Sequence, residues 1–162
     1  MLDLQTLESL RDADFEQPLP IARLRASKLF GVPTIRGVYL VLTAGATKPR
    51  FLKVGTGGHF KQRDPKVLLT ELEAKWVPDA LVLYVGKAGT TLRKRLDQYL
   101  KFGAGTPIGH RGGRYIWQID GSERLRICWR TTPYDDPREV EKSLIKVFGN
   151  RYGRLPFANL RS

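Results

Sequence analysis

The 162-residue chain has a single cysteine, Cys128, only two histidines, and no long apolar run. One cysteine excludes an intrachain disulfide and fits a reducing compartment, so we expect a cytoplasmic protein in which Cys128 packs in the core. So few cysteines and histidines make a zinc site improbable. Without an apolar run long enough to cross a bilayer, and without a signal-peptide pattern, we expect no membrane partner.

Acidic residues are scarce relative to basic ones. The chain carries 28 lysines and arginines against 16 aspartates and glutamates, which gives a formal net charge of +12. Such an excess favours polyanions, because each phosphate contact releases counterions. Charge alone would serve a ribosomal contact or an acidic lipid equally well. Composition therefore favours nucleic acid as the partner without selecting it.

The length and the alternation of patterns predict one α+β domain over residues 1–162. We expect an N-terminal arm and helix within residues 1–35, the helix running from Ile21 to Phe30 with Phe30 on its buried side. The core follows over residues 36–160. An insert at about residues 44–79 interrupts it.

The core is expected to run in the order strand, insert, strand, helix, hairpin, helix. Apolar strands are expected at 38–42 and 80–85, and a hairpin at 115–119 and 125–130. Between them lies a helix that Thr90 or Thr91 can cap.

Further boundaries come from prolines and glycines. In the insert we expect a strand at 51–54 and a helix that starts at Asp64-Pro65. Glycines at 55, 57 and 58 lack the lysine–serine pair of a nucleotide-binding loop, so we expect a turn there and no small-molecule cofactor. The last helix is expected to be capped by Asp136 and to end at Gly149.

The helix after the second strand carries an arginine close to its apolar face. Leu92, Leu96 and Tyr99 recur at the spacing of one buried face, and Arg95 lies one turn before Tyr99. A guanidinium near the core needs a partner, because burying an unpaired charge is costly. That partner is either a structural carboxylate or a phosphate.

Five features occur in a fixed order along the chain: Gly37-Val-Tyr39, Tyr84-Val-Gly86, Arg95, Glu141 and Asn159. This ordered set resembles the GIY-YIG nuclease family, whose two namesake tripeptides match the first two features. Either tripeptide alone carries no information, whereas the complete ordered set is fairly specific. The insert between the strands is longer than in compact members of that family.

The resemblance implies a GIY-YIG nuclease-like fold, with a small, mixed and largely antiparallel sheet flanked by helices. It also implies a magnesium- or manganese-dependent site. Glu141 would hold the metal, Arg95 would bind the scissile phosphate, and Tyr39 would act as general base or position the water. It also places Tyr84, Lys87, Tyr99 and Asn159 in the site. A phenol ionises near pH 10, so a base role requires positive charge nearby, from Lys87 or the metal.

Nucleic-acid contacts are expected next to this helix. The glycine-rich loop over residues 101–114 carries His110, Arg111 and Arg114, and Lys94 lies on the helix itself. The alternative is a solvated connector whose arginines only maintain solubility. DNA is the expected partner and RNA stays an open alternative, while the sequence gives no indication of the oligomeric state.

Three functions stay open at this point. The first is a Mg²⁺-dependent DNA endonuclease acting at branched, flapped or damaged structures. The second is a basic nucleic-acid-binding module that kept the fold without cutting. The third is a basic surface that docks a partner protein or a membrane, with Arg95 paired structurally to Glu141.

Overall fold

A computed structural model describes residues 2–45, 47–59, 63–108 and 112–160. The α-helices of these ranges are α1 (Leu7–Asp12), α2 (Ile21–Ala26), α3 (Leu69–Lys75), α4 (Leu92–Gly103) and α5 (Pro137–Tyr152). The strands are β1 (Leu19–Pro20), β2 (Gly37–Leu42), β3 (Val82–Ala88) and β4 (Arg126–Thr131). Short 3₁₀ helices cover Arg114–Gln118 and Ser122–Arg124. No helix in the described ranges has the length and apolar character that a membrane crossing requires.

The strands form one sheet in the order β1-β4-β2-β3. Every pairing among the described strands is antiparallel. Helices and an antiparallel sheet occur together, so the α+β prediction is confirmed. In the central strand β2, Tyr39 lies opposite Gly86 on one side and Trp129 on the other. The start of β2 therefore meets the ends of β3 and β4 at one end of the sheet.

Helices cover both faces of the sheet. Because side chains alternate along a strand, Tyr39 and Val41 of β2 pack in one cluster with Leu96 of α4. Val38 and Leu40 point the other way and pack in a second cluster, which includes Leu144, Ile145 and Phe148 of α5. The sheet is thus a layer between α4 and α5.

Helix caps were predicted well at the N-termini. The Thr91 hydroxyl accepts a hydrogen bond from the backbone N–H of Lys94, and the Asp136 carboxylate accepts one from Arg138. The predicted end at Gly149 is wrong, because α5 continues to Tyr152. It ends where Gly153 adopts φ 73°, a left-handed conformation that glycine reaches without steric cost.

The predicted hairpin is wrong in its first half. Residues 114–118 form a 3₁₀ turn between Gly113 and Gly121, which both have φ 74°. Consecutive residues of this turn are buried together, whereas a half-exposed strand buries alternate residues. Only β4 joins the sheet.

The insert has less regular structure than predicted. The expected strand at 51–54 is reduced to a single bridge between Phe51 and Ile119, and α3 begins at Leu69 rather than at Asp64. The side chain of Gln118 accepts from the N–H of Val67 at 2.8 Å and donates to its carbonyl at 3.0 Å. These two bonds hold the chain extended where the proline predicted a helix.

The helix predicted over Ile21–Phe30 is shorter than expected. It ends at Ala26, and its buried residues are Ile21 and Leu24. Leu29 is buried as expected, but Phe30 is 83% exposed.

Candidate active site

Three tyrosines from three elements pack against one another beside the sheet end where β2 begins. The ring centroid of Tyr39 lies 6.0 Å from those of Tyr84 and Tyr99, which are 5.8 Å apart. Gly86 lies directly under the Tyr39 ring, since a Cβ at position 86 would stand 2.3 Å from Cζ of Tyr39. The glycine of the second tripeptide is therefore required for the tyrosine of the first to occupy its place.

The hydroxyls of these tyrosines differ in their partners. The Tyr99 hydroxyl donates to the carbonyl of Gly113 at 3.0 Å. The Tyr39 hydroxyl is buried and forms no hydrogen bond of normal geometry among the described residues, although it lies close enough to the Tyr84 hydroxyl to interact with it. A buried hydroxyl without a partner is costly, so it marks a place where a ligand or water can bind.

Burial keeps all three phenols neutral. It raises the pKa of Tyr39 well above its ordinary value, Tyr84 adds to the rise, and the Arg95 guanidinium opposes it. Burial, with the Glu141 carboxylate next in importance, raises the pKa of Tyr84 to about 12. Positive charge nearby does not overcome burial here, so in this state Tyr39 is a phenol and not a phenolate.

Arg95 and Glu141 act on the same two phenols from different helices. Arg95, in the first turn of α4, lowers the pKa of Tyr39 and Tyr84, and Glu141 of α5 raises both. Half-buried Arg95 has only a long 3.5 Å hydrogen bond to Gln98 Oε1 among the described residues. The structure thus brings Tyr39, Tyr84, Arg95 and Glu141 together, as predicted.

Glu141 pairs with Lys87 rather than with Arg95. Its Oε1 lies 3.5 Å from Nζ of Lys87, and no ion pair joins it to Arg95 among the described side chains. The structural Arg95–Glu141 pair that was the alternative interpretation is therefore not formed. Because the exposed Lys87 side chain projects from the end of β3, it brings one positive charge to the carboxylate.

The donor set fits a single hard cation. The Glu141 side chain is 16% exposed, and no group of three or more His, Cys, Asp or Glu residues lies together in the described part of the chain. Mg²⁺ commonly takes only one or two protein carboxylates and fills its remaining positions with water and substrate phosphate. Glu141 meets that requirement as the one carboxylate.

Asn159 positions β3 and does not touch the reactive groups. Its side chain accepts from the N–H of Val85 at 2.9 Å and donates to the carbonyl of Val85 at 2.9 Å. The N–H of Ala158 donates to the carbonyl of Leu83 at 2.8 Å. The C-terminal segment thus binds β3 on both sides of Tyr84, and Asn159 is a positioning residue.

The predicted nucleic-acid contacts are described in part. Lys94 is exposed in the first turn of α4, and Arg114 is half-buried with its guanidinium 5.5 Å from the ring of Tyr115. The Arg114 Nε is buried without a hydrogen bond among the described residues. His110 and Arg111 lie outside the described residues.

Sequence reasoning missed two glycines that touch the site. A Cβ at Gly112 would stand 2.9 Å from the Tyr84 hydroxyl, and one at Gly113 would stand 2.9 Å from the Tyr99 hydroxyl. The adjacent glycines at 112 and 113 were the available signal, since close backbone approach commonly requires glycine. The loop end therefore packs directly on the tyrosines.

No family model, curated protein or solved structure matches this chain. The resemblance to the GIY-YIG nucleases rests on the residues and their order alone.

Proposed function

We propose that this protein is a Mg²⁺- or Mn²⁺-dependent endonuclease of GIY-YIG type that hydrolyses phosphodiester bonds of DNA in the cytoplasm. The observation that carries the proposal is the buried Tyr39 hydroxyl lying within electrostatic range of both Arg95 and Glu141. A neutral hydroxyl, a cation and a carboxylate that can hold a metal can supply the water positioning, phosphate binding and charge stabilisation that phosphodiester hydrolysis uses.

Each group has a role that follows from its chemistry. Arg95 binds non-bridging phosphate oxygens, which a guanidinium contacts with two parallel N–H groups. The neutral Tyr39 hydroxyl accepts a hydrogen bond from the attacking water and orients the lone pair of that water toward phosphorus, while the proton that the water loses passes to solvent. Glu141 would hold the divalent ion, which would supply Lewis-acid stabilisation of the charge on the leaving oxygen.

Cleavage of supercoiled plasmid and of a flapped duplex tests the proposal, with Mg²⁺, with Mn²⁺ and with EDTA. Tyr39→Phe and Glu141→Gln should each lose at least about 10²-fold in rate, as expected for a proton-transfer or charge-stabilising group. Glu139→Gln, an exposed change on the same helix, is the matched control and should cut normally. Wild-type rates in Tyr39→Phe or Glu141→Gln would refute the assignment.

Tyr39→Phe is expected to fold as stably as wild type. The change removes a hydroxyl that forms no hydrogen bond among the described residues, so the free energy of unfolding should stay the same or rise. A loss of cleavage in this variant would therefore not arise from unfolding.

A second candidate is a non-catalytic DNA-binding module. The Lys87–Glu141 pair favours it, because a neutralised carboxylate does not repel phosphate. Both candidate functions predict DNA binding in EDTA, but only the nuclease function predicts cleavage when the metal is added.

A further inference from the structure

Phe30 is the apolar side chain whose exposure is hardest to explain by folding. It is 83% exposed at the tip of the turn between α2 and β2, while Leu29 and Val32 on either side are buried. Single exposed apolar residues are common and need no explanation by themselves. What distinguishes Phe30 is how the protein holds the turn that presents it.

Three residues of this turn have left-handed backbone. Lys28 has φ 54°, Leu29 has φ 62° and Gly31 has φ 83°. For residues with a Cβ this conformation is unfavourable, and two in succession are rare. The turn therefore has a defined shape that a flexible connector would not need.

Arg93 of α4 fixes that shape. Its Nη1 donates to the carbonyl of Leu29 at 2.6 Å and its Nη2 to the carbonyl of Lys28 at 3.0 Å. The backbone N–H of Phe30 also donates to Ser27 at 3.1 Å. The backbone on the N-terminal side of Phe30 is thus tied to the helix that carries Arg95.

The same segment continues along the N-terminus of α4. The N–H groups of Leu92 and Arg93 donate to the carbonyls of Ile35 and Pro33 at 2.9 Å and 3.0 Å. Successive helical residues are about 100° apart, so Arg93 and Arg95 lie on opposite flanks of α4 and exposed Lys94 lies between them. The turn that presents Phe30 is therefore held on the Arg93 flank of α4, and Arg95 lies on the other flank.

This arrangement has a meaning for a nucleic-acid strand. A strand whose phosphate is bound at Arg95 can continue past exposed Lys94 toward Phe30. An exposed aromatic ring stacks on a base of any sequence, provided that the base is not already stacked in a duplex. Apolar side chains also enter base steps that are distorted.

We propose that Phe30 is a base-stacking site that selects DNA with an unpaired nucleotide, as in a flap or branch, when a neighbouring phosphate is bound by Arg95. This inference rests on the proposed function, because that function assigns the phosphate to Arg95. The substrate class is then defined by structure and not by sequence, since stacking on phenylalanine discriminates little between bases.

Fluorescence anisotropy in EDTA tests the proposal with a fully paired duplex and a flapped duplex of equal length. Wild type should prefer the flapped duplex, and Phe30→Ala should lose about 5- to 150-fold of that preference, which is the loss of one aromatic–base stack. Phe30→Trp should retain it. Leu68→Ala, which truncates another apolar side chain that is 75% exposed, is the matched control and should bind as wild type.

A second readout locates the base. 2-Aminopurine placed at successive flap positions should be quenched most strongly at one position, and only when Phe30 is present. Equal loss of affinity for both duplexes in Phe30→Ala, or an unchanged preference, would overturn the proposal. Because Phe30 is exposed, thermal unfolding of Phe30→Ala should match wild type, which separates a binding effect from misfolding.

The two proposals fail in different ways. If the protein prefers the flapped duplex through Phe30 but does not cut with any metal, the nuclease proposal is refuted and the stacking site is supported. If the protein cuts paired and flapped DNA at equal rates and Phe30→Ala does not change those rates, the stacking site is refuted and the nuclease proposal is supported.

Discussion

Asn159→Ala should destabilise the protein and reduce cleavage together, because it removes what holds β3 beside the tyrosines. The amide of Asn159 forms hydrogen bonds with both backbone groups of Val85, each at 2.9 Å. Asn159 itself is buried. Truncation therefore leaves the N–H and the carbonyl of Val85 without these partners.

The magnitude follows from the number of groups left unpaired. Each buried backbone group without a hydrogen bond costs about 1–3 kcal/mol. β3 is an edge strand of the sheet, so water can reach part of the vacated space and the lower half of that range applies. We expect a loss of about 2–4 kcal/mol, against a typical total of about 5–15 kcal/mol for a domain.

Urea denaturation measures this loss as a lower midpoint with an unchanged slope. Asn150→Ala, an exposed asparagine on α5, is the matched control and should change stability by less than about 0.5 kcal/mol. Cleavage by folded Asn159→Ala should fall about tenfold or more, because Tyr84 and Gly86 flank the released residue. A midpoint equal to that of Asn150→Ala would show that water replaces the amide, and would refute the positioning role.

Two further predictions concern charge and protonation. Lys87→Gln should bind Mn²⁺ several-fold more tightly in the absence of DNA, because it removes the cation that pairs with Glu141. Titration calorimetry measures this affinity, and an unchanged or weaker value would contradict the prediction. The unfolding free energy should fall as pH rises above about 9. Burial raises the pKa of Cys128 and of Tyr84 to about 12 in the folded state. The folded protein therefore retains protons that the unfolded chain releases. Urea midpoints that stay constant from about pH 8 to about pH 11 would show that these groups ionise equally in both states.

Local signals predicted those parts of the fold that depend on local contacts. The strands β2 and β4 and the caps at Thr91 and Asp136 follow from residues within a few positions of each other, and the structure has them. Tyr39 and Tyr84 also lie within electrostatic range of both Arg95 and Glu141. Their order along the chain indicated this grouping, while their hydrogen bonds and the Lys87–Glu141 pair were not predictable from it.

The errors arose where distant side chains decide the local backbone. Gln118 holds Val67 extended from 51 positions away in sequence, and Arg93 holds the turn at Lys28 and Leu29 from 65 and 64 positions away. Neither bond has a local sequence signal. The proline at 65 and the apolar spacing before Phe30 therefore predicted helices that these contacts exclude.

The first turn of α4 gives an independent reason to expect a polyanion. Arg93, Lys94 and Arg95 follow its cap, and this turn contains no acidic residue. Cations at a helix N-terminus oppose the helix dipole, at about 0.3–1 kcal/mol each. Arg93 offsets its cost through two hydrogen bonds, whereas Lys94 is exposed and Arg95 has only a weak one. A sequence under pressure for stability alone would place an acid here. The proposed phosphate ligand accounts for the arrangement, since its charge is favourable both to the helix N-terminus and to the two cations.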